Sequence, residues 1–161
     1  MKQDKPRVAA LHRPRGKGES MEALAVAEVI TGFGFKGDRK AKPGSKRQVL
    51  LLDSETVEEF GFRPGELDEN ITTRGLAVGE LRRGQHVRIG DVLLEVTIAC
   101  PACYKLEDLR PGLEAAMRHR RGMMTIVLQG GQIHVGDAIE VLDARPESVP
   151  GAALPVEGNN P

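Results

Sequence analysis

The chain has 161 residues, of which 40% are apolar and only 3% aromatic, and its 23 basic and 23 acidic side chains give a formal net charge of zero. This length and apolar content predict one domain with one hydrophobic core, while the balanced charge and scarce aromatic rings argue against a nucleic-acid-binding protein, which needs positive charge and stacking surfaces. The sequence has neither a signal-peptide pattern nor an apolar run near the ~20 residues of a membrane span, so we expect a cytoplasmic protein without a membrane partner.

The pattern of the first half of the chain predicts short strands separated by turns, in keeping with its abundant glycine and proline. Asp53 or Ser54 is expected to N-cap a short helix that ends at Phe60, before Gly61. Ahead of that helix we predict, in chain order, a strand over residues 7–11, a strand followed by a helix over 21–30, a glycine-punctuated loop over 32–39 and a buried strand over 48–52.

The second half contains two similar segments, residues 84–96 and 131–141, and each predicts a hairpin made of a strand, a Gly-Asp turn and a second strand. Between them we predict a helix over residues 113–121, ended by Gly122, and a buried strand over 123–128. The histidines are far apart in sequence, and we expect all four to be mostly exposed to solvent: His12, His86, His119 and His134.

After residue 142 the composition changes, because residues 143–161 contain four prolines and few large apolar side chains. We therefore predict a single domain over residues 1–142 and a mobile C-terminal tail over 143–161. The predicted fold class is mostly β, a closed or nearly closed mixed β-barrel with two or three short helices.

The two cysteines, Cys100 and Cys103, follow a predicted apolar strand, and a helix can begin at Lys105. A thiol between a strand end and a helix N-terminus lies near partial positive charge, which favours the thiolate, the form that acts as nucleophile and metal ligand. Three other interpretations stay open: two small buried residues, a C-x-x-C redox pair, and half of a zinc site.

Two polar segments are candidate ligand-binding loops. Residues 37–48 carry cations beside glycines, which suits a phosphate or another small anion. Residues 69–75 look too polar for a core strand, and their amide and hydroxyl groups suit a heterocyclic ligand. The alternatives are a solvated turn and a strand edge, respectively. The candidate binding residues are Asp38, Arg39, Lys46, Arg47, Glu69, Asn70, Thr72, Thr73 and Arg74. A further basic spot, Arg120-Arg121, is interpreted as the end of a helix.

These segments, in this order, resemble the MOSC family, named for the C-terminal domain of molybdenum-cofactor sulfurase. The resemblance implies a barrel rich in β-strands, with the family's characteristic cysteine at Cys103 and no fixed counterpart of Cys100. The sequence departs from relatives that carry a histidine soon after Gly-Asp-Arg, since Lys40-Ala41-Lys42 stands there instead. The matching stretches are residues 37–39, 46–49, 69–75, 89–97, 102–103 and 130–137.

The resemblance also implies molybdenum-cofactor or sulfur-transfer chemistry. Cys103 would then carry sulfur as a persulfide or act as a ligand to molybdenum. Cations would bind the pterin phosphate, and amide and hydroxyl groups would bind the pterin edge or a molybdenum oxo group. In that assignment the first set is Arg39, Lys46, Arg47 and Arg74, and the second is Asn70, Thr72 and Thr73.

Three functional hypotheses follow, and whether the chain is an enzyme stays open. The first is a sulfur carrier or cofactor-binding domain of the sulfurtransferase type. The second is a molybdenum-dependent reductase of N-hydroxylated compounds, as in the related mitochondrial amidoxime reducing component, and the third is a non-catalytic binding or scaffold barrel. The sequence has no pyridoxal-phosphate lysine motif and no ferredoxin-type cysteine set, so the first two require partners: a cysteine desulfurase, or proteins of molybdenum-cofactor biosynthesis or redox chemistry.

Overall fold

The computed structural model describes residues 5–16 and 20–143, which contain eleven β-strands and three short α-helices. The strands are β1 (Arg7–Pro14), β2 (Met21–Leu24), β3 (Val26–Ile30), β4 (Gly34–Phe35), β5 (Val49–Asp53), β6 (Ile71–Arg74), β7 (His86–Ile89), β8 (Val92–Ala99), β9 (Met123–Gln129), β10 (Gly131–His134) and β11 (Ile139–Leu142). The helices are α1 (Ser54–Glu59), α2 (Tyr104–Leu109) and α3 (Leu113–Ala116). The predicted mostly-β class with two or three short helices is confirmed.

The strands form two sheets. Eight of them lie in the order β11-β7-β8-β9-β5-β6-β1-β2, with β5 and β6 parallel, and β10-β3-β4 form a second, antiparallel sheet. Backbone hydrogen bonds from Val8 N to Asp137 O (2.9 Å) and from Gly136 N to Val8 O (2.8 Å) join the start of β1 to the segment before β11. The strand order itself does not close within the described residues, so barrel closure stays a prediction.

The main hydrophobic core lies between the two sheets. Val29 and Phe35 of the small sheet belong to the same buried cluster as Leu51, Ile71 and Val87 of the large one. A second cluster packs the helices against the outer side of β5; burying each of its larger side chains stabilises the fold by about 1.5–3 kcal/mol. Its buried members are Leu52, Val57, Leu67, Leu106, Leu113 and Met117.

Two predicted elements are wrong. Residues 21–30 form two strands and no helix, since β3 alternates exposed and buried residues with the period of two typical of a strand and pairs with β10. Residues 131–141 form no hairpin: β10 pairs with β3, whereas β11 pairs with β7. The similar segment at 84–96 does form the predicted hairpin, with β7 antiparallel to β8.

The predicted environment of the polar segment at residues 69–75 is also wrong. Its strand, β6, lies inside the large sheet between β5 and β1, and Thr72 and Thr73 are fully buried. Two histidines that were expected to be exposed, His12 on β1 and His86 on β7, are buried as well. His86 Nε2 lies 3.1 Å from Glu95 Oε1, within hydrogen-bonding distance. Thr72 meets the usual condition for a polar side chain in a core strand, since its Oγ1 donates to Glu69 Oε2 at 2.7 Å.

The helix predictions hold at their starts better than at their ends. Asp53 N-caps α1 as predicted, with its carboxylate accepting a hydrogen bond from Thr56 N at 3.2 Å, and Gly61 follows with a φ of 81°. The predicted helix over 113–121 is only four residues long. The tail predicted over 143–161 lies, apart from Asp143, outside the described residues. In the described part of the chain, no helix has the length and apolarity needed to cross a membrane.

Candidate functional site

A cavity of about 420 Å³ opens where β8 ends and α2 begins, and both cysteines line it. Its other walls come from the loop that follows β4, from the segment leading into β6, and from the residues just before β9. Segments far apart in sequence therefore meet at this one depression in the surface. Its volume lies within the range of about 300–1,000 Å³ that is typical of small-molecule and cofactor sites.

Cys103 is the N-cap residue of α2, with extended backbone angles (φ −143°, ψ 174°) and no side-chain capping bond. Leu106 anchors α2, because it is fully buried in the second hydrophobic cluster, which packs the helices against β5. Ala102 packs against that same cluster. Cys103 is half-buried as a residue, and its thiol is not in a disulfide. The local fold thus presents a free thiol to the cavity from an anchored backbone.

Cys100 is held more tightly than Cys103. Its backbone N donates to Gly122 O at 2.9 Å, and its Sγ accepts a hydrogen bond from Arg121 Nη1 at 3.2 Å. Burial raises the pKa of the Cys100 thiol, and the positive charges of Arg121 and Arg47 act against that shift. Burial therefore outweighs the cations, and Cys100 favours its protonated form.

The cavity wall carries more positive than negative charge. Lysine and arginine side chains outnumber the two carboxylates, and the ion pair of Lys40 Nζ with Asp68 Oδ2 at 3.7 Å accounts for one of each. Such a wall attracts anions and is suited to phosphate groups. Its cations are Lys40, Lys42, Arg47, Lys105 and Arg121, and its acids are Asp38 and Asp68.

Asp38 and Asn70 form the polar base of the cavity, and both are buried. Asn70 Nδ2 donates to Asp38 Oδ2 at 3.2 Å, and Asn70 Oδ1 accepts from Leu50 N at 2.8 Å. The other oxygen of Asp38 accepts from Lys40 N at 2.7 Å. One side chain of the β6 segment therefore fixes the loop that bears the lysines.

The structure brings four of the sequence-predicted site residues together at this cavity: Asp38, Arg47, Asn70 and Cys103. The other six do not line it. Arg39 and Lys46 are exposed, and Arg74, at the far end of β6 from Asn70, pairs with Glu58 and Glu55.

The remaining predicted residues lie in the interior. Glu69 is fully buried, and its Oε2 accepts hydrogen bonds from Gly65 N (2.9 Å) and Thr72 Oγ1 (2.7 Å), while Oε1 has no partner. Burial raises the pKa of Glu69, and those two hydrogen bonds oppose the shift. Thr73 Oγ1 is also buried without a partner. None of these residues lines the cavity.

Arg121, Lys105 and Cys100 also line the cavity, although none of them was among the predicted binding residues. The signal for Arg121 was present in the basic pair before β9, but its contact with Cys100 spans 21 residues, which local patterns do not reveal. Within residues 5–16 and 20–143 no group of three or more histidine, cysteine, aspartate or glutamate side chains is arranged to hold a metal ion.

Comparison with known proteins identifies a family and a fold. The MOSC domain family model matches residues 38–140, and no curated protein matches the chain. Among solved structures, the YuaD protein from Bacillus subtilis is 17% identical with a TM-score of 0.68, over 89% of this chain and 99% of that one. YiiM from Geobacillus stearothermophilus is 20% identical with a TM-score of 0.69, over 85% and 75%. YiiM from Escherichia coli is 21% identical with a TM-score of 0.65, over 89% and 72%.

Proposed function

Because this chain belongs to the MOSC domain family, which is associated with the molybdenum cofactor, we propose that its cavity binds that cofactor or carries sulfur for it, with Cys103 as the working thiol. The observation that carries the proposal is a free, partly exposed cysteine in the same cavity as five cations. A scaffold barrel, whose cysteines would be structural, does not require this combination. When bound, the cofactor would supply a redox-active metal.

The residues at the cavity fit such a group. A thiolate is a soft ligand suited to molybdenum as well as to sulfur transfer, and the cationic wall suits a pterin phosphate. The described residues offer no cluster of three or more side chains for a bare metal ion. Cys103 would therefore be a single protein ligand to a metal that brings its other ligands with it.

The other site residues divide by position. Arg47, with Lys40, Lys42 and Lys105, would bind the phosphate, since these side chains line the cavity and are exposed. Asn70 would meet the ligand with its amide or fix the base of the cavity through Asp38. Arg39 and Lys46 would contribute long-range positive charge. The interior residues Glu69, Thr72 and Thr73 and the paired Arg74 would act through the fold, without ligand contact.

In the sulfur-carrier form of the proposal, the partner is a cysteine desulfurase that bears a persulfide. The thiolate of Cys103 attacks the terminal sulfur of that persulfide, so a new S–S bond forms on Cys103 while the old one breaks. The bonding electron pair leaves with the desulfurase cysteine as its thiolate. Cys103 then carries one sulfur atom, which the cationic cavity holds in its anionic form.

The decisive experiment measures molybdenum per chain in protein purified from a host that makes the cofactor, for the wild type, Cys103→Ser and Cys100→Ser. We expect molybdenum in the wild type and in Cys100→Ser, and its loss in Cys103→Ser. In parallel, mass spectrometry after incubation with a cysteine desulfurase and cysteine should find one added sulfur on Cys103.

The proposal is overturned if the wild type carries neither molybdenum nor added sulfur. It is also overturned if the Cys103→Ser variant is loaded as well as the wild type. Alkylation of the folded protein separates it from the scaffold hypothesis, which requires both thiols to be inaccessible. Molybdenum bound through Cys103, together with turnover of an N-hydroxylated compound when electrons are supplied, would extend the proposal to the reductase hypothesis.

A further inference from the structure

Cys100 is a half-buried nucleophile that the proposed function leaves without a role. It lies three positions before Cys103 and lines the same cavity, and both cysteines are free. Two thiols that share a cavity can exchange a sulfur–sulfur bond when one of them already carries a second sulfur atom. The chemistry of Cys103 therefore depends on what its neighbour can do.

Cys100 is fixed at both its backbone and its sulfur. Its N donates to Gly122 O at 2.9 Å, and its Sγ accepts a hydrogen bond from Arg121 Nη1 at 3.2 Å. Gly122 is itself packed closely against β5, since a Cβ at that position would come within 2.2 Å of Leu51 O. A hydrogen bond from a guanidinium stabilises negative charge, so Arg121 supports the thiolate of Cys100 as it forms.

Burial suits Cys100 to react second. Burial raises the pKa of its thiol against the opposing positive charges of Arg121 and Arg47, so the resting side chain carries its proton. A protonated thiol competes poorly for the sulfur of an incoming persulfide, because the thiolate is the nucleophile. Negative charge on Cys103 also raises the pKa of Cys100, which means that the two sulfurs lie within electrostatic reach of each other.

The segment between the two cysteines is short and lies outside regular structure. Residues 100–103 connect the end of β8 with the start of α2, and the side chain of Cys103 makes no capping hydrogen bond. A disulfide requires Cα atoms about 4.4–6.8 Å apart, and three peptide units extend to at most about 11 Å. Closing the pair therefore requires a tight bend at Pro101-Ala102, which belongs to neither a strand nor a helix.

We propose that Cys100 is the resolving thiol of Cys103, an inference that rests on the sulfur-carrier form of the proposed function. When Cys103 carries a persulfide, Cys100 Sγ attacks its inner sulfur. The bond between the two persulfide sulfurs breaks, a disulfide forms between Cys100 and Cys103, and the terminal sulfur leaves with the bonding electron pair. It takes the proton of Cys100 and departs as hydrosulfide, which the cations of the cavity stabilise. The terminal sulfur is reduced and the two thiols are oxidised, so a dithiol reductant has to restore the pair before the next cycle.

The test follows a single turnover without oxygen. The reduced full-length chain is mixed with an equimolar amount of a cysteine desulfurase that already carries its persulfide, free cysteine having been removed. Released hydrosulfide is measured, and samples quenched by alkylation are analysed by mass spectrometry. We expect the wild type to gain one sulfur on Cys103 and then lose it, ending lighter than the reduced chain by two hydrogen atoms, the mass change of an intramolecular disulfide.

Cys100→Ser should keep the added sulfur on Cys103 and release hydrosulfide at least about tenfold more slowly, because a fixed neighbouring thiol acts at high effective concentration. Dithiothreitol should then release the retained sulfur from this variant. Ser45→Ala is the matched control, since it changes another side chain of the cavity wall and leaves both thiols in place. It should release hydrosulfide at the rate of the wild type.

A purely structural Cys100 predicts a wild-type persulfide on Cys103 that is as stable as the one in Cys100→Ser, and that result overturns the inference while the proposed function stands. Recovery of the added sulfur on Cys100 overturns it too. Oxidised glutathione should convert the reduced wild type to the same intramolecular disulfide, and failure of the pair to close in this arm, which needs no variant to fold, also rejects the inference. If Cys103 accepts no sulfur at all, the sulfur-carrier form of the proposed function and this inference fail together.

Discussion

Asn70 donates a hydrogen bond to Asp38 across 32 positions of sequence, at 3.2 Å and inside the protein. The same amide nitrogen lies 3.3 Å from His12 O on β1, and the amide oxygen accepts from Leu50 N on β5. Asn70 therefore uses both ends of its side chain to connect two strands with the loop after β4. The shape of the cavity depends on this side chain more than on any of the exposed cations.

Asn70→Ala should destabilise the protein by about 1–3 kcal/mol for each buried group left without a partner, here Leu50 N and Asp38 Oδ2. Urea denaturation measures the loss. The matched control is Ser45→Ala, which removes the acceptor for Arg47 N in an exposed part of the same loop and should change stability by no more than about 0.5 kcal/mol. Equal effects of the two substitutions would show that Asn70 does not anchor the loop.

Glu69 gives a pH-dependent prediction. Burial raises its pKa above the ordinary 4.5, so the folded protein holds this proton more tightly than the unfolded chain does. Its contribution to stability is complete below pH 4.5 and is lost as the pH rises through the raised pKa. Glu69→Gln cannot ionise, so the variant should gain stability relative to the wild type as the pH rises above 4.5.

The measurement is the difference in unfolding free energy between Glu69→Gln and the wild type across that range. His12, whose pKa burial lowers, titrates in both proteins and cancels from the difference. Glu66→Gln is the control, because Glu66 is exposed and accepts only from Arg63 N. A difference between Glu69→Gln and the wild type that stays flat with pH would mean that burial does not perturb this carboxyl group.

Local sequence patterns correctly predicted the structural features that depend only on neighbouring residues. The N-cap at Asp53 and the β7–β8 hairpin follow from side-chain chemistry and alternation within a few positions. The hairpin predicted over residues 131–141 does not form, because its two strands pair with other strands. β10 pairs with β3, about a hundred residues earlier. Alternation predicts a strand but does not specify its partner.

The candidate site shows the same division. Cys103, Asp38, Arg47 and Asn70 were predicted from motifs and do line one cavity. Arg121 was not, because its importance comes from burial and from a contact with Cys100 that only the fold creates. Thr72 and Thr73 have the chemistry of ligand-binding residues, but their strand lies in the middle of the large sheet, where both side chains are enclosed.

Gly122→Ala should be far more damaging than a substitution at another glycine with positive φ. The new Cβ would meet Leu51 O at 2.2 Å, and L-residues are strained at a φ of 101°, which together cost about 2–5 kcal/mol. Gly44→Ala has a φ of 74° and no atom within 4 Å of its Cβ, so it should cost about 1–2 kcal/mol. Thermal or urea unfolding of both variants compares them, and equal losses would mean that β5 can move away from residue 122.

Arg74 and Arg47 make a pair of variants that tests whether the cavity is the binding site. Both were predicted from sequence to bind a phosphate, but Arg47 lines the cavity, whereas Arg74 bonds to Glu58 and lies 3.9 Å from Glu55. Arg74→Gln should leave molybdenum or sulfur loading unchanged and cost at most about 1 kcal/mol of stability, since its ion pairs are largely exposed.

Arg47→Gln removes a cation from the cavity wall, and it should weaken ligand loading about tenfold or more with little change in stability, because the side chain is exposed. Loading is measured as molybdenum or added sulfur per chain at a limiting concentration of the donor. The opposite order, with Arg74→Gln reducing loading and Arg47→Gln retaining it, would place the phosphate beside Arg74, at the other end of β6 from Asn70. Cys103 would then share no cavity with the phosphate, and the proposed binding site would be wrong. We do not expect this outcome, because the residues around Arg74 are Glu55 and Glu58, which repel an anion.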